Sequence, residues 1–522
     1  MAENLMFITM VAKRFVLLLA LLMLVCPAGM ELWAQTPEPV EVAAESERVE
    51  SALPGIDAKI DAAFGGIADA IFAVLFFKVA GFPIILVWLV VAAFIFTIYF
   101  KFVNFRRFGL AIGIARGKYS DPTETGEVSH FQALTAALSG TVGLGNIAGV
   151  AVAVSVGGAG ATFWMIVAGF LGMSSKFVEC TLGVKYRKVD ENGRVYGGPM
   201  YYLSQSGMGR LGKVLAVMFA IFCIGGSLGG GNMFQVNQAF TQINNVSGGQ
   251  LDGYGWLFGL FMAAIVGVVI IGGIRSIARA TSKIVPLMCG IYMLAAAAVL
   301  IANIDAVPAA IAQIVTEAFT GDAAKGGAIG AVIMGFRRAA FSNEAGIGSA
   351  SIAHAAVSTN NPASEGLVSL LEPFIDTVIV CTMTALAILV SGQHLVGGAD
   401  GVALTSNAFQ TVIPWFDKVL VVVVTLFAFS TMISWSYYGE QAWCYLFGQK
   451  QGMKTLYKLV FCVFVVIGAA SSLDGVLNFS DAMIFAMAFP NIIGLYFLMP
   501  VVRRELETYL GKIKSGEIVR KD

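Results

Sequence analysis

The chain predicts an all-α membrane protein of about eleven spanning helices, one extra helix followed by a five-plus-five inverted repeat. Three observations predict it. Of 522 residues, 57% are hydrophobic and 13% charged, and mean hydropathy is +0.80, which excludes an ordinary soluble domain. Apolar runs of spanning length recur along the chain, with Lys and Arg gathered in alternate loops. Finally, the two runs that would open each set of five are both interrupted by glycines and small polar residues.

Residues 1–34 read as a signal peptide. Lys13 and Arg14 precede the apolar stretch 15–25, which is short for a span, and the Ala34–Gln35 bond is the expected cleavage site. An uncleaved anchor is the alternative. Residues 35–77 follow as an exported acidic linker, with Glu38, Glu41, Glu45, Glu47 and Glu50, and an amphipathic segment over 56–77. The membrane domain occupies 78–522. Its extra helix is expected at 82–102, and repeat one at 131–304 has spans at 132–155, 161–184, 211–243, 256–274 and 283–304. Repeat two at 327–501 has spans at 327–355, 367–391, 418–446, 456–472 and 479–501, leaving the tail 502–522.

Basic residues set the orientation. Lys101, Arg106, Arg107, Arg116 and Lys118 follow the extra helix, Lys185, Arg187, Lys188 and Arg194 the third span, and Arg503, Arg504, Lys512 and Lys514 the last. The loops 244–254 and 392–416 hold no Lys or Arg. An outside N-terminus and a cytoplasmic C-terminus fit this alternation, in a bacterial plasma (inner) membrane. The two interrupted spans then run in opposite directions.

Ser139-Gly140-Thr141-Val142-Gly143-Leu144-Gly145-Asn146 places unwound backbone near the middle of its span. In hydrocarbon, freed N–H and C=O groups are tolerated where they line a cavity or a ligand. Broken helix ends offer N–H groups to an anion and carbonyls to a cation, while Ser139, Thr141 and Asn146 add hard oxygen ligands. Close helix packing through small residues is the alternative reading. Phe341-Ser342-Asn343-Glu344-Ala345-Gly346 repeats the recipe in the second half, with Arg337 and Arg338 just before it. Charges at that depth are costly and mark function.

Glu372 and Asp376 are four residues apart, share a helical face, and are expected to pair with Arg337 or Arg338 or to line a cation path. Ser430 and Thr431 are adjacent hydroxyls suited to sodium, or to bonding back to their own helix, and Trp435 lies one turn on. Gln235 is an amide placed to reach the site. The seven cysteines have no metal or disulfide spacing, and His130, His354 and His394 are scattered. No nucleophile set, metal cluster or phosphate loop marks an enzyme. With Lys plus Arg equal to Asp plus Glu at 33 each, nothing points to nucleic acid, and no obligate protein partner is evident beside the lipid bilayer.

At these residues the chain resembles the alanine/glycine:cation symporter family. The resemblance rests on Leu138–Val150, on Gly157-Gly158-Ala159-Gly160-Ala161-Thr162-Phe163-Trp164-Met165 and on Tyr196-Gly197-Gly198-Pro199-Met200-Tyr201-Tyr202. Phe341-Ser342-Asn343-Glu344-Ala345-Gly346 and Trp435-Ser436-Tyr437-Tyr438-Gly439-Glu440 complete it in family order. The resemblance implies the inverted-repeat fold of the neurotransmitter:sodium symporters and sodium-coupled (or proton-coupled) import of a small neutral amino acid. It implies that backbone at Gly143, Leu144 and Gly145 meets the substrate carboxylate, and that Thr141, Gln235, Phe341, Asn343, Gly346, Thr431 and Trp435 surround the substrate. Carbonyls of Ser139 and Val142 with the hydroxyls of Ser430 and Thr431 would hold one Na+, and Thr141 and Asn146 a second. The family more often has two threonines where this chain has Ser430-Thr431.

Overall fold

The computed structural model describes residues 82–521, except 121–123, 192, 321–326 and 397–400, and nearer the N-terminus residues 57, 59–60, 71–73 and 75–79. The expected leader and nearly all of the acidic linker lie outside the described residues.

Helix α1 (Ile84–Tyr99) is a run of sixteen residues without a charge. It ends where Lys101 and Phe102 take positive φ. After a basic connection, α2 (His130–Thr141) starts on a capping box in which the Ser129 hydroxyl accepts from the Gln132 N–H at 3.2 Å and the Gln132 side chain accepts from the Ser129 N–H at 3.1 Å. The chain unwinds at Val142–Leu144, re-forms as a π turn at Gly145–Gly149 and continues as α3 (Val150–Gly157), bent by 52° from α2. Then come α4 (Gly160–Lys185), α5 (Arg210–Val246, with a π turn at Gly229–Met233), α6 (Gly255–Ile270) and α7 (Gly273–Ala302).

The second half opens with α8 (Gly327–Asn343), a break at 344–349 and α9 (Ala350–His354). It continues through α10 (Pro362–Val390, containing a π segment at Phe374–Cys381), α11 (Gly401–Gln410), α12 (Phe416–Phe447), α13 (Gln451–Ala470) and α14 (Leu473–Ser515).

Among the described residues seven helices (α4, α5, α7, α10, α12, α13 and α14) are long and apolar enough to cross a membrane, and the bent pair α2–α3 makes an eighth. Helices α1 and α6 are apolar but shorter. The expected loop 392–416 is corrected by α11, which is largely buried and packs over the first break: Thr405 donates to the Ile147 carbonyl at 3.2 Å. A stretch without charges was read as loop because it is too short to span, but it is apolar enough to cap the bundle. The described parts of the amphipathic segment also dock inward. The Asp57 carboxylate accepts from the Gly255 and Trp256 N–H groups at the start of α6 (3.0 and 3.3 Å), and Phe76 is buried.

Helix α8 packs along α4, α5 lies against α12 and α14, and α2 lies between α7 and α12. His130, the first residue of α2, and His354, the last of α9, both bond the Glu365 carboxylate. The start of one broken helix therefore meets the end of the other at Glu365.

Candidate functional site

The two breaks touch. A Cβ added at Gly145 would lie 3.4 Å from Ser342 Cα, so the unwound first helix and the end of α8 share one buried space. Asn146 stitches it. Its side-chain oxygen accepts from the Gly143 N–H at 2.9 Å, and its amide donates to the Asp376 carboxylate at 2.6 Å. Asp376 also accepts from Ser342 (2.9 Å) and Thr377 (2.7 Å). Among the described residues no ion pair involves this buried carboxylate.

Gln235, next to the π turn of α5, accepts from the Leu144 N–H at 3.1 Å and donates to the Gly230 carbonyl at 2.8 Å. The first break thus directs two backbone donors, at Gly143 and Leu144, toward side-chain oxygens that an incoming anion can replace. Gly143 cannot carry a side chain here, because a Cβ would stand 2.4 Å from the Thr431 hydroxyl.

Thr431 donates to the Ser139 carbonyl at 3.0 Å, and the Ser139 hydroxyl donates to the Ser430 carbonyl at 2.6 Å and meets Ser434 at 2.8 Å. Oxygens of α2 and α12 are therefore interleaved, a donor set of the hard kind that suits an alkali cation. The Ser430 hydroxyl turns back to the Phe427 carbonyl at 3.0 Å, and Thr141 likewise turns to the carbonyls of Ala137 and Leu138, at 3.4 and 3.3 Å. Thr141 forms none of the bonds that hold Asn146.

The second break contributes Asn343, which donates to Thr377 at 2.9 Å and accepts from the Ala345 N–H at 3.0 Å. Gly346, at φ +87°, points its carbonyl to Asn491 at 3.0 Å. Trp435 is 1% exposed and donates to Glu344 at 2.9 Å; Phe341 packs edge-on against Phe234 with ring centres 5.3 Å apart. Trp435 and Phe341 give the site apolar walls, and polar groups of α5, α10 and α12 face the two breaks.

The charge pairing differs from the expectation. Arg337 and Arg338 both bond Asp481 of α14, Arg337 at 2.6 Å, and neither bonds Glu372 or Asp376. Glu372 bonds Lys176 at 3.2 Å and also His354, while Asp376 turns to Asn146. Glu372 lies just before the π segment Phe374–Cys381 and Asp376 within it, and neither carboxylate is within bonding reach of the arginines, which Asp481 takes instead. The histidines are not all scattered, since His130 and His354 converge on Glu365. Lys176, Glu179 and Asp481 were missed, although each is a charge inside an apolar run and so carries the signal that singled out Arg337.

A buried site where two broken helices meet among membrane-spanning helices, with backbone donors on one side and stacked hydroxyls on another, defines a secondary transporter of the symporter class. The chain belongs to the sodium:alanine symporter family, whose sequence pattern matches residues 68–521. It is 41% identical over 440 residues to the sodium/alanine symporter AgcS of Methanococcus maripaludis, covering 83% of this chain and 96% of that protein. It is 33% identical over 427 residues to the probable sodium/glutamine symporter GlnT of Bacillus subtilis, covering 81% and 87%. The crystal structure of MhsT in complex with L-phenylalanine aligns at a TM-score of 0.48 and 14% identity, covering 73% of this chain and 99% of that one. The protein is therefore a multi-pass membrane symporter of amino acids with Na+ as coupling ion, and not an enzyme.

Proposed function

We propose that the protein imports a small neutral amino acid, alanine or glycine, with Na+ by alternating access across a bacterial plasma membrane, its N-terminus outside and its C-terminus cytoplasmic. The observation that carries this reading is the contact between the breaks at Gly145 and Ser342. Around it, the Gly143 and Leu144 N–H groups are held only by the side-chain oxygens of Asn146 and Gln235, which a substrate carboxylate would displace.

In this reading Trp435, Phe341 and Asn343 wall a pocket that admits a methyl group or a hydrogen and excludes larger side chains. The carbonyls of Ser139 and Val142 with the hydroxyls of Ser430 and Thr431 hold one Na+, supported by the bond between Thr431 and the Ser139 carbonyl. Asn146 serves a second position through Asp376, a buried carboxylate whose charge a Na+ or a proton would neutralise. The fold reading is one extra helix (α1) and two inverted sets of five, α2–α7 and α8–α14 without α11, eleven spans in all. The contact between the start of one broken helix and the end of the other through Glu365 supports it. On the outer side, Arg337 and Arg338 with Asp481 close the path over Phe341.

Uptake of labelled alanine into proteoliposomes, with and without an inward Na+ gradient, tests the reading. Na+-driven accumulation competed by glycine and not by glutamine is the expected result. Equal uptake without Na+ would overturn the coupling, and efficient competition by glutamine would overturn the substrate.

A further inference from the structure

Five buried titratable side chains outside the proposed substrate site form one continuous chain. His130 of α2 bonds Glu365 through Nδ1, and Glu365 bonds Nδ1 of His354 with its other oxygen. Nε2 of His354 bonds Glu372, whose second oxygen lies 3.2 Å from the Lys176 ammonium. All five are under 4% exposed. One end reaches a pocket of about 530 Å³ lined by His130, Ser129, Arg116, Ser120 and Leu371. The C-terminal segment lies on the same side, Lys521 bonding the Ser120 carbonyl at 2.8 Å.

Three of these contacts set an imidazole nitrogen against a carboxylate oxygen, and each needs one proton between the two atoms. With Glu365 and Glu372 ionised, the three protons are the Nδ1–H of His130 and both ring N–H groups of His354, so His354 is an imidazolium. Its charge and that of Lys176 then balance the two carboxylates. Removing one proton leaves a lone pair facing a carboxylate and one uncompensated buried negative charge. The neighbours that face the chain are Glu179, Cys180 and Arg187 from α4 and beyond its end, Glu344 from the second break, Asp376 from α10 itself, Tyr438 from α12, and Arg116 at the pocket. Lys512 of α14 lies near its outer end, 3.4 Å from Asn361.

These bonds also join moving parts. His130 is the first residue of the first broken helix and His354 the last of the second, and α10 holds both through Glu365. His354 holds α10 at both ring nitrogens, so a neutral His354 can keep only one of the two contacts, and the end of the second broken helix is the point at which a lost proton loosens the junction.

We propose that His130, Glu365, His354, Glu372 and Lys176 form one proton-binding site that reaches the pocket at His130, and that loss of the second ring proton of His354 frees α9, the end of the second broken helix, from α10. The pH on the side that carries the C-terminus then sets how fast the site opens there. Protonated, the chain is complete and latched; acid on that side therefore slows opening and alkali speeds it.

This inference rests on the symporter reading for its flux readout, so two measurements are paired. In proteoliposomes at fixed outer pH and Na+ gradient, with protein oriented by tag accessibility, initial alanine uptake should rise roughly fivefold as inner pH goes from about 6 to about 8. His354→Gln, which keeps a hydrogen-bonding side chain without the ionisable ring, and Glu365→Gln, which removes the carboxylate it bonds, should flatten that profile. A flat wild-type profile, or an unchanged one in both variants, overturns the proposal. In detergent, infrared titration of the purified protein should show a carboxylate and imidazole step between about pH 6 and about pH 9 that His354→Gln and Glu365→Gln remove. No step, or one that survives both variants, overturns the proton site. Failure of all Na+-dependent uptake with that step intact would instead count against the transport reading.

Discussion

The indole of Trp435 donates to the Glu344 carboxylate across 2.9 Å, tying the middle of α12 to the break between α8 and α9. Glu344 holds φ +55°, a left-handed conformation uncommon for a residue with a side chain, and its other oxygen accepts from Ser349. The bond therefore fixes both the position of the Trp435 indole, the proposed substrate wall, and the shape of the break. Trp435→Phe keeps the aromatic wall but leaves a buried carboxylate oxygen without its donor, a loss of about 1.5–3 kcal/mol for a charged partner. Expected is a rise of about tenfold or more in the KM for alanine, measured by Na+-driven uptake at matched protein density. Glu344→Gln, which keeps an acceptor, should cost less. A KM unchanged in Trp435→Phe would separate the indole from the site.

Thr431 offers a second test, because its hydroxyl lies between the Ser139 carbonyl, at 3.0 Å, and the space that a Gly143 side chain would fill. Thr431→Val preserves volume and removes one hard oxygen, so the Na+ concentration for half-maximal uptake should rise about tenfold or more, as for a lost bond to a charged group. Thr431→Ser should stay near wild type. Gly143→Ala should abolish uptake while the protein still inserts, since its Cβ would meet the Thr431 hydroxyl at 2.4 Å. Sodium titrations of uptake with surface-labelled protein as the control measure all three.

Much of this site was legible in the chain. Glycines and small polar residues marked both breaks, and paired hydroxyls marked Ser430 and Thr431, because each feature is local and the membrane leaves backbone few places to unwind. The pairing of charges was not legible. Arg338 and Asp481 are 143 residues apart and His130 and Glu365 are 235 apart, so no spacing rule connects them. Glu372 and Asp376 were set against Arg337 and Arg338 for the same reason: their actual partners, Lys176, His354 and Asn146, and the Asp481 that takes both arginines, are all distant in the chain. Helix α11 was missed since its ten residues are too few to span.

Asp481 accepts from two guanidinium groups on one oxygen, and Arg338 beside it is 1% exposed and lies over the Phe341 ring at 5.2 Å. Arg337 in turn stacks on Phe76 at 4.8 Å. Asp481→Asn would leave two cations facing each other without an anion, at a cost of about 3–5 kcal/mol for a broken buried pair. The expected outcome is a clear drop in the apparent Tm in detergent. The double variant Arg338→Met with Asp481→Leu should recover part of that loss, because it removes the fully buried cation together with its anion and leaves only the partly exposed Arg337 without its partner. A Tm drop in the double variant equal to the sum of the two single variants would remove the pair as the cause.

Asp376 carries the last prediction. Its carboxylate takes hydrogen bonds from Asn146, Ser342 and Thr377, at 2.6, 2.9 and 2.7 Å, so it joins the first break to the second. Three neutral donors do not cancel a buried charge, whereas a bound cation or proton does. Asp376→Asn removes that charge and turns one acceptor oxygen into an NH2 donor, facing either the Asn146 amide or the hydroxyls of Ser342 and Thr377. Two effects should follow together: uptake falls about tenfold or more, and the Na+ dependence loses steepness because one neutralising ion is no longer needed. Asp376→Glu keeps the charge but lengthens the reach, so it should retain the steep Na+ dependence at lower rate. The Hill slope of Na+ activation, measured in proteoliposomes beside the wild type, separates these outcomes. A slope equal in wild type and Asp376→Asn would leave Asp376 as a structural acceptor between the two breaks and remove it from ion coupling.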